Sequence, residues 1–207
     1  FVTQCLHPEW QVSFTSVTEQ WAQFAVAGPK SRELLNRLLE TEIDNESWPF
    51  MACGPVKVCG VNGRLFRISF SGEHAYEVAV PARFGAALFD LLVERANQMG
   101  GGAYGMEALN VLRIEKGFLT HAEIEGRATA FDIGMQGMMS QKKDFIGKTM
   151  AARPGLVDED RPQLVGLKPV GAVKKLTAGA QLYPQGADAA ADNLEVHISS
   201  VGFSPDV

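Results

Sequence analysis

The chain has 207 residues, enough for one large or two small domains with real cores. Its 46% hydrophobic and 21% charged residues are ordinary for a soluble globular protein, and no apolar run reaches the length of a membrane span. A net charge of −5, with Lys142, Lys143, Lys174 and Lys175 forming only short pairs, argues against a nucleic-acid surface, which needs clustered cations. The three cysteines, Cys5, Cys53 and Cys59, have neither C-x-x-C nor zinc spacing, and an odd number cannot all pair within one chain. They read as reduced thiols of a cytoplasmic protein, Cys53 and Cys59 half-buried on strands. The chain opens on Phe1 and stops in an apolar stretch at Val207, which reads as a piece of a longer polypeptide.

Residues 11–17 alternate weakly, as a half-buried strand would, and 22–27 read as a second strand. A helix is expected from Gly28-Pro29, with proline at its first position and Leu34, Leu35, Leu38 and Leu39 as its apolar stripe. Trp48, Phe50 and Met51 fall in a turn-like stretch and are expected to plug the sheet. Residues 56–61 and 64–70 are β-rich runs around Asn62-Gly63, a type I′ hairpin signature that places Phe66, Ile68 and Phe70 on one strand face. After a turn over 71–74, residues 75–80 return as a strand ending at Pro81. There Ala75 and Glu77 point one way, Tyr76 and Val78 the other, so Tyr76 reads as packing.

Residues 82–98 form an amphipathic helix that buries Phe84, Leu88, Leu91 and Leu92, and 105–116 a second one carrying Leu109, Leu112 and Arg113. The M-G-G-G-A loop between them lacks the lysine and the strand-before, helix-after setting of a phosphate loop. The order predicts an α+β fold, an antiparallel sheet with helices packed on it. Met135, Met138 and Met139 read as adaptable packing, and 144–152 as a short helix. The Pro-, Gly- and acid-rich 154–162 marks a linker, giving an α+β domain over 1–153 and, over 163–207, the start of a truncated all-β barrel with strands at 163–167, 181–183 and 195–203.

The chemistry gathers in R-I-S-F-S-G-E-H-A-Y-E, residues 67–77. A carboxylate, Glu77, across a glycine turn from an aromatic, Phe70, suits a flat heterocycle with adjacent N–H donors. The carboxylate accepts two parallel hydrogen bonds while the ring covers a face. Glu77 on such a strand must otherwise face solvent, because a buried unpaired carboxylate is prohibitively costly. Glu73 either caps the turn or meets a ligand, and His74 reads as a solvent-facing turn residue. Arg113 either pairs with a carboxylate at a domain boundary or binds a ligand. His121 and His197 are isolated and no metal site is expected. No G-x-S-x-G elbow, Cys-His arrangement or G-x-G-x-x-G motif is present.

The 67–77 segment, L-R-I-E-K-G-F at 112–118 and K-K-D-F-I-G-K at 142–148 resemble the aminomethyltransferase-like folate-binding family of the glycine cleavage T-protein, and within it the alpha subunits of heterotetrameric sarcosine oxidases. The resemblance runs from about residue 15 to 207. It implies that Glu77 is the pterin-binding glutamate of G-Y-T-G-E-x-G-x-E and that Phe70 replaces the motif's tyrosine. Glu73 and Arg113 become further folate-binding candidates. In A-R-D-x-x-R-x-E, Arg113 matches the second arginine and Glu115 the glutamate, while Leu109 replaces the first arginine. S-S-V-G-F-S-P at 199–205 resembles the opening of the family's closing barrel. The implied activity is capture of a one-carbon unit on tetrahydrofolate as 5,10-methylenetetrahydrofolate, inside a complex whose FAD, FMN and NAD bind outside this segment and whose other subunits are its partners. No counterpart of the family's catalytic aspartate is found. Dimethylglycine dehydrogenase, a T-protein aminomethyltransferase, a folate-binding repair protein and a non-catalytic docking module are the alternatives.

Overall fold

A computed structural model describes residues 9–171, 176–190 and 196–203. Cys5, Lys174, Lys175, Glu195 and Pro205 therefore lie outside the described residues. The chain divides into two compact units, Phe1–Tyr104 and Gly105–Val207.

The first unit is an antiparallel sheet with helices on one face. Strands β1 (Trp21–Ala27), β2 (Cys53–Val58), β3 (Val61–Phe66) and β4 (Ala75–Pro81) stand in the order β1-β4-β3-β2. β4 is central and the most apolar, which is why it is buried along most of its length. It pairs with β1 from Trp21↔Pro81 to Ala27↔Ala75, and with β3 from Arg64↔Ala79 to Phe66↔Glu77. Helices α1 (Ser31–Asn36) and α2 (Gly85–Gln98) close one sheet face. Leu34, Leu35, Leu38, Leu39, Leu88 and Leu92 form one core with Tyr76, Val78, Val80, Leu65 and Val58, as the helical stripes and the strand alternation require. At the start of α2 a Cβ on Gly85 would come within 2.6 Å of the Ala22 Cβ, so glycine there lets the helix lie against β1.

Several expectations shift. The β2–β3 turn is Cys59-Gly60, with Val58↔Val61 closing the ladder, and both turn residues take the positive φ of a type I′ turn (47° and 81°). Asn62 and Gly63 lie inside β3, opposite Lys57 and Val56. Glycine at 63 serves strand approach: a Cβ there would sit 2.5 Å from the Ala79 carbonyl oxygen. β3 ends at Phe66, so Ile68 and Phe70 are not on the strand. Arg67 continues with hydrogen bonds to Ala52 and Met51.

The first helix starts at Ser31, not at Pro29, because Gly28 (φ 118°) reverses the chain and Ser31 bonds back to the His74 carbonyl. Trp48 does pack, over Gly54, but Phe50 and Met51 are exposed. Residues 11–17 are exposed and, among the described residues, pair with no strand. Cys53 and Cys59 are exposed free thiols, Cys59 in the turn.

In the second unit, α3 (Met106–Lys116) ends on Gly117 at φ 75°. The Gly117 and Phe118 amides bond back to the Ile114 and Arg113 carbonyls, a Schellman closure that K-G-F encodes. Met138 is exposed rather than packed, and the short helix is only α4 (Lys148–Ala151). Within 154–162, Arg161 forks onto Asp132. Residues 163–167 form no strand, and the Leu164 amide bonds instead to the Asp132 carbonyl. Among the described residues the sheet of this unit is the ladder of β5 (Gln181–Leu182) with β6 (Val196–His197). The fold is thus mixed α+β, an antiparallel sheet with packed helices.

Candidate functional site

Strand alternation puts Tyr76, Val78 and Val80 into the leucine core and presents Ala75, Glu77 and Ala79 on the opposite face of β4. Register adds Gln23, Ala25 and Ala27 from β1 and Arg64 and Phe66 from β3 to that face. Small side chains at positions 25, 27, 75 and 79 surround the half-buried Glu77, with Ala75 and Ala79 themselves buried and Ala25 exposed.

Glu77 is half-buried, directly opposite Ala25 on one side and Phe66 on the other. The Gln23 side-chain amide donates to Glu77 Oε2. Nearby, burial and then the negative charge of Glu77 raise the Tyr104 hydroxyl above the ordinary tyrosine value. The aromatic beside Glu77 within the sheet is therefore Phe66, since directly opposed residues share a face at close Cβ spacing. Phe70 sits four residues further on in the bend after β3, 40% exposed. Glu73 is exposed, and its turn is capped by Ser71 Oγ, which accepts from the Glu73 amide at 3.3 Å.

His74, expected in solvent, is half-buried in a cluster. Arg32 Nε donates to the Tyr76 hydroxyl at 2.9 Å, Arg32 Nη2 lies 3.3 Å from His74 Nε2, and that nitrogen lies 3.1 Å from the Tyr76 hydroxyl. The Arg67 guanidinium lies 5.3 Å over the Tyr76 ring. Burial first, then the charges of Arg67 and Arg32, hold the His74 pKa below the ordinary 6.5. Since arginine only donates, His74 Nε2 must be the acceptor and the ring neutral. A cleft of about 550 Å³ beside α1 carries Arg32 and His74 with Glu33, Arg37 and Glu42, a mixture of charges without a net sign.

Arg113, in the second unit, is 5% exposed and fully engaged. It meets Glu123 at 3.3 Å, Ser200 Oγ at 2.7 Å, the Phe118 carbonyl at 3.2 Å and Asn110 at 2.9 Å. Ser200 also donates to Glu123, whose other oxygen accepts from the Thr120 amide and hydroxyl at 2.8 and 2.9 Å. Burial of Glu123 works against ionisation, but these donors outweigh it and lower its pKa to about 2. The Arg161 guanidinium likewise holds Asp132 well below the usual carboxylate range. Among the described residues no three His, Cys, Asp or Glu side chains gather into a metal site, and no helix is long and apolar enough to cross a membrane.

Gln23, Phe66 and Tyr104 escape a reading of the sequence alone. Gln23 is the one polar residue in W-A-Q-F-A-V-A, which signals a face, but its meeting with Glu77 depends on β1 lying beside β4.

Comparison with known proteins gives a consistent picture. The chain is 44% identical over 210 aligned residues, all of its length, to the sarcosine oxidase subunit alpha of Rhizobium meliloti, of which it covers 21%. It is 39% identical over 183 residues to the same subunit of a Corynebacterium species, covering 87% of the chain and 19% of that protein. It is 26% identical over 198 residues to an aminomethyltransferase of Thermotoga neapolitana, covering 95% of the chain and 51% of that protein. The chain thus spans about a fifth of the length of the sarcosine oxidase subunits it matches. The GCVT N-terminal domain family matches residues 2–143, and the chain belongs to that family.

Proposed function

We propose that this chain is the folate-binding part of a sarcosine oxidase alpha subunit, where the one-carbon unit released by oxidative demethylation of sarcosine is captured on tetrahydrofolate as 5,10-methylenetetrahydrofolate. The observation that carries this reading is Glu77, a half-buried carboxylate between Ala25 and the aromatic Phe66. A carboxylate of this kind accepts paired N–H donors from the edge of a flat ring. Gln23 holds one carboxylate oxygen, and among the described residues the other has no hydrogen-bond donor.

In this reading Glu77 binds the amino edge of the pterin, Phe70 covers a ring face, and Glu73 lies at the rim. Arg113 enters as a structural residue that fixes α3, because its guanidinium is already engaged. The chain's own residues bind and orient folate so that its reactive nitrogens meet the incoming carbon. Flavin, bound elsewhere in the parent with NAD, would supply the oxidation of the amine. In this reading the chain's partners are the other subunits of a cytoplasmic complex. The isolated segment is expected to transfer no methylene group.

Calorimetric titration of the full-length protein with tetrahydrofolate tests this. Removing the charge-assisted bonds of Glu77 by Glu77→Ala, worth roughly 1.5–3 kcal/mol, weakens binding by about ten- to a hundredfold. An unchanged dissociation constant would sink the assignment.

A further inference from the structure

Half-buried cations ordinarily carry a counter-ion. Arg32 on α1 and Arg67 just after β3 are both half-buried, and among the described residues neither forms an ion pair. Their guanidinium groups meet instead at a neutral acceptor: Arg32 Nη2 and, at 3.3 Å, Arg67 Nη1 both donate to Asn45 Oδ1. Arg32 Nε is spent on the Tyr76 hydroxyl and Arg67 Nη1 also on the Trp48 carbonyl, at 2.9 Å each. Arg32 Nη1 and the Nε–Nη2 edge of Arg67 have no acceptor among the described residues. The neighbouring carboxylates are committed elsewhere or out of reach. Asp44 Oδ1 accepts from the Glu46 and Ser47 amides and the Ser47 hydroxyl, Glu33 pairs with Arg37, and Glu42, which lines the cleft beside Arg32, pairs with neither arginine. Two like charges drawn to one amide oxygen repel, and a carboxylate set on their free donors relieves that repulsion.

Arg67 also carries an apolar knuckle. Its carbonyl accepts from the Met51 amide at 3.0 Å and its amide donates to the Ala52 carbonyl at 2.8 Å, so the 48–52 loop is fastened to it at three points. The loop holds Met51 at φ 70°, a conformation that favours glycine, and leaves Phe50 69% and Met51 66% exposed. An aromatic, a methionine and arginines side by side are the composition of an interface core.

We propose that Arg32, Arg67, Phe50 and Met51 form a docking surface for a segment of the same polypeptide outside these 207 residues, one that presents a carboxylate beside an apolar side chain. The carboxylate is required by the unpaired guanidinium groups and the apolar neighbour by the knuckle. The polypeptide itself is assigned as the occupant because the chain spans about a fifth of the sarcosine oxidase subunits it matches, and a tethered segment needs less intrinsic affinity than a separate molecule. This rests on the reading of the chain as part of such a subunit, and not on its folate site.

In the full-length subunit, hydrogen peroxide should oxidise Met51 at least about tenfold more slowly than free methionine, as mapped by mass spectrometry. Benzoylphenylalanine placed at Phe50 should crosslink on irradiation to one peptide of the same subunit that carries Asp or Glu next to an apolar residue. Neutralising that carboxylate to Asn or Gln leaves this unit's own residues untouched and should lower the crosslink yield about tenfold or more. Oxidation of Met51 at the free rate overturns the proposal. So does a crosslink that is absent, confined to these 207 residues, directed to another subunit, or insensitive to neutralisation. Tetrahydrofolate titration of the same protein keeps the two readings apart. Met51 freely oxidised with Glu77-dependent folate binding retained removes the docking surface alone, and a protected Met51 with folate binding indifferent to Glu77→Ala removes the folate reading alone.

Discussion

The Glu123 network allows a prediction whose size and pH dependence both follow from the geometry. The Glu123 side chain is 3% exposed and that of Arg113 6%, and the carboxylate receives donors from Arg113, Ser200 and Thr120. Its pKa falls from 4.5 in the unfolded chain to about 2 in the fold, which amounts to roughly 3 kcal/mol of folding stability at neutral pH. Removing one partner of a buried pair typically costs about 3–5 kcal/mol, so the two routes agree in order of magnitude. Glu123→Gln keeps the shape and deletes the charge, leaving Arg113 buried without its counter-ion. Urea unfolding followed by far-UV circular dichroism should show a loss of about 3 kcal/mol at neutral pH. Because the folded pKa is depressed, the contribution is complete above pH 4.5 and disappears as pH falls through about 2. Glutamine does not titrate, so the gap between wild type and variant must close over that interval. Replacing both partners, Arg113→Met with Glu123→Leu, should cost much less than the single change. A gap that stays constant through the acid range, or is below about 1 kcal/mol at neutral pH, would refute the reasoning.

Other consequences are simpler to check. Thermal melts should show Asn62→Thr within about 0.5 kcal/mol of wild type, because Asn62 is an exposed strand residue and not a turn residue. Gly63→Ala should cost at least about 1–3 kcal/mol, since its Cβ would lie 2.5 Å from the Ala79 carbonyl oxygen. Gly60→Ala, at φ 81°, should cost roughly 1–2 kcal/mol by left-handed strain alone. His74 should titrate below 6.5 by NMR, so stability held above that pH declines as pH falls from 6.5 toward the folded value, and His74→Gln should lose that slope. A midpoint at or above 6.5 would contradict its place between Arg32 and Arg67.

Much of the fold was readable where one periodicity dominates. The leucines of α1 and α2 and the near-continuous apolar run of β4 each admit one arrangement that buries them. The hairpin was misread because Asn-Gly is a strong local turn signal while the deciding facts are not local. Gly63 must clear the Ala79 backbone on the neighbouring strand, and Cys59-Gly60 can take the required positive φ. The expected ladder would have closed at Val61 and Arg64, whereas the observed one closes at Val58 and Val61. That moves every partner by an even number of residues, so the faces of β3 survive while its length does not. With Cys53 opposite Phe66, β2 runs out, and Phe70 is left in the bend.

Of the candidate site, the face of Glu77 was legible and its neighbours were not, since Phe66 and not Phe70 stands opposite it. Alternation alone separates Ala75 and Glu77 from Tyr76 and Val78, and the core then decides which side can hold a ligand. Tyr76 and Val78 are fully buried and Val80 is 2% exposed beneath α1 and α2, so no ring can enter on that side without displacing a helix. The half-buried Glu77 lies on the other face. Part of what surrounds Glu77 there, Gln23 and Ala25 of β1, comes from more than 50 residues away in sequence and so depends on β1 lying beside β4. His74 was misread for the related reason that its environment is supplied by Arg32 on α1, which no local pattern around residue 74 encodes. The division follows from parity: even positions of β4 are committed to the core, which leaves odd positions, Glu77 among them, on the other face. A substitution that moved β4 by one residue would bury Glu77 among leucines and expose Tyr76, so the desolvation of that carboxylate and the loss of Tyr76, Val78 and Val80 from the core both oppose the shift.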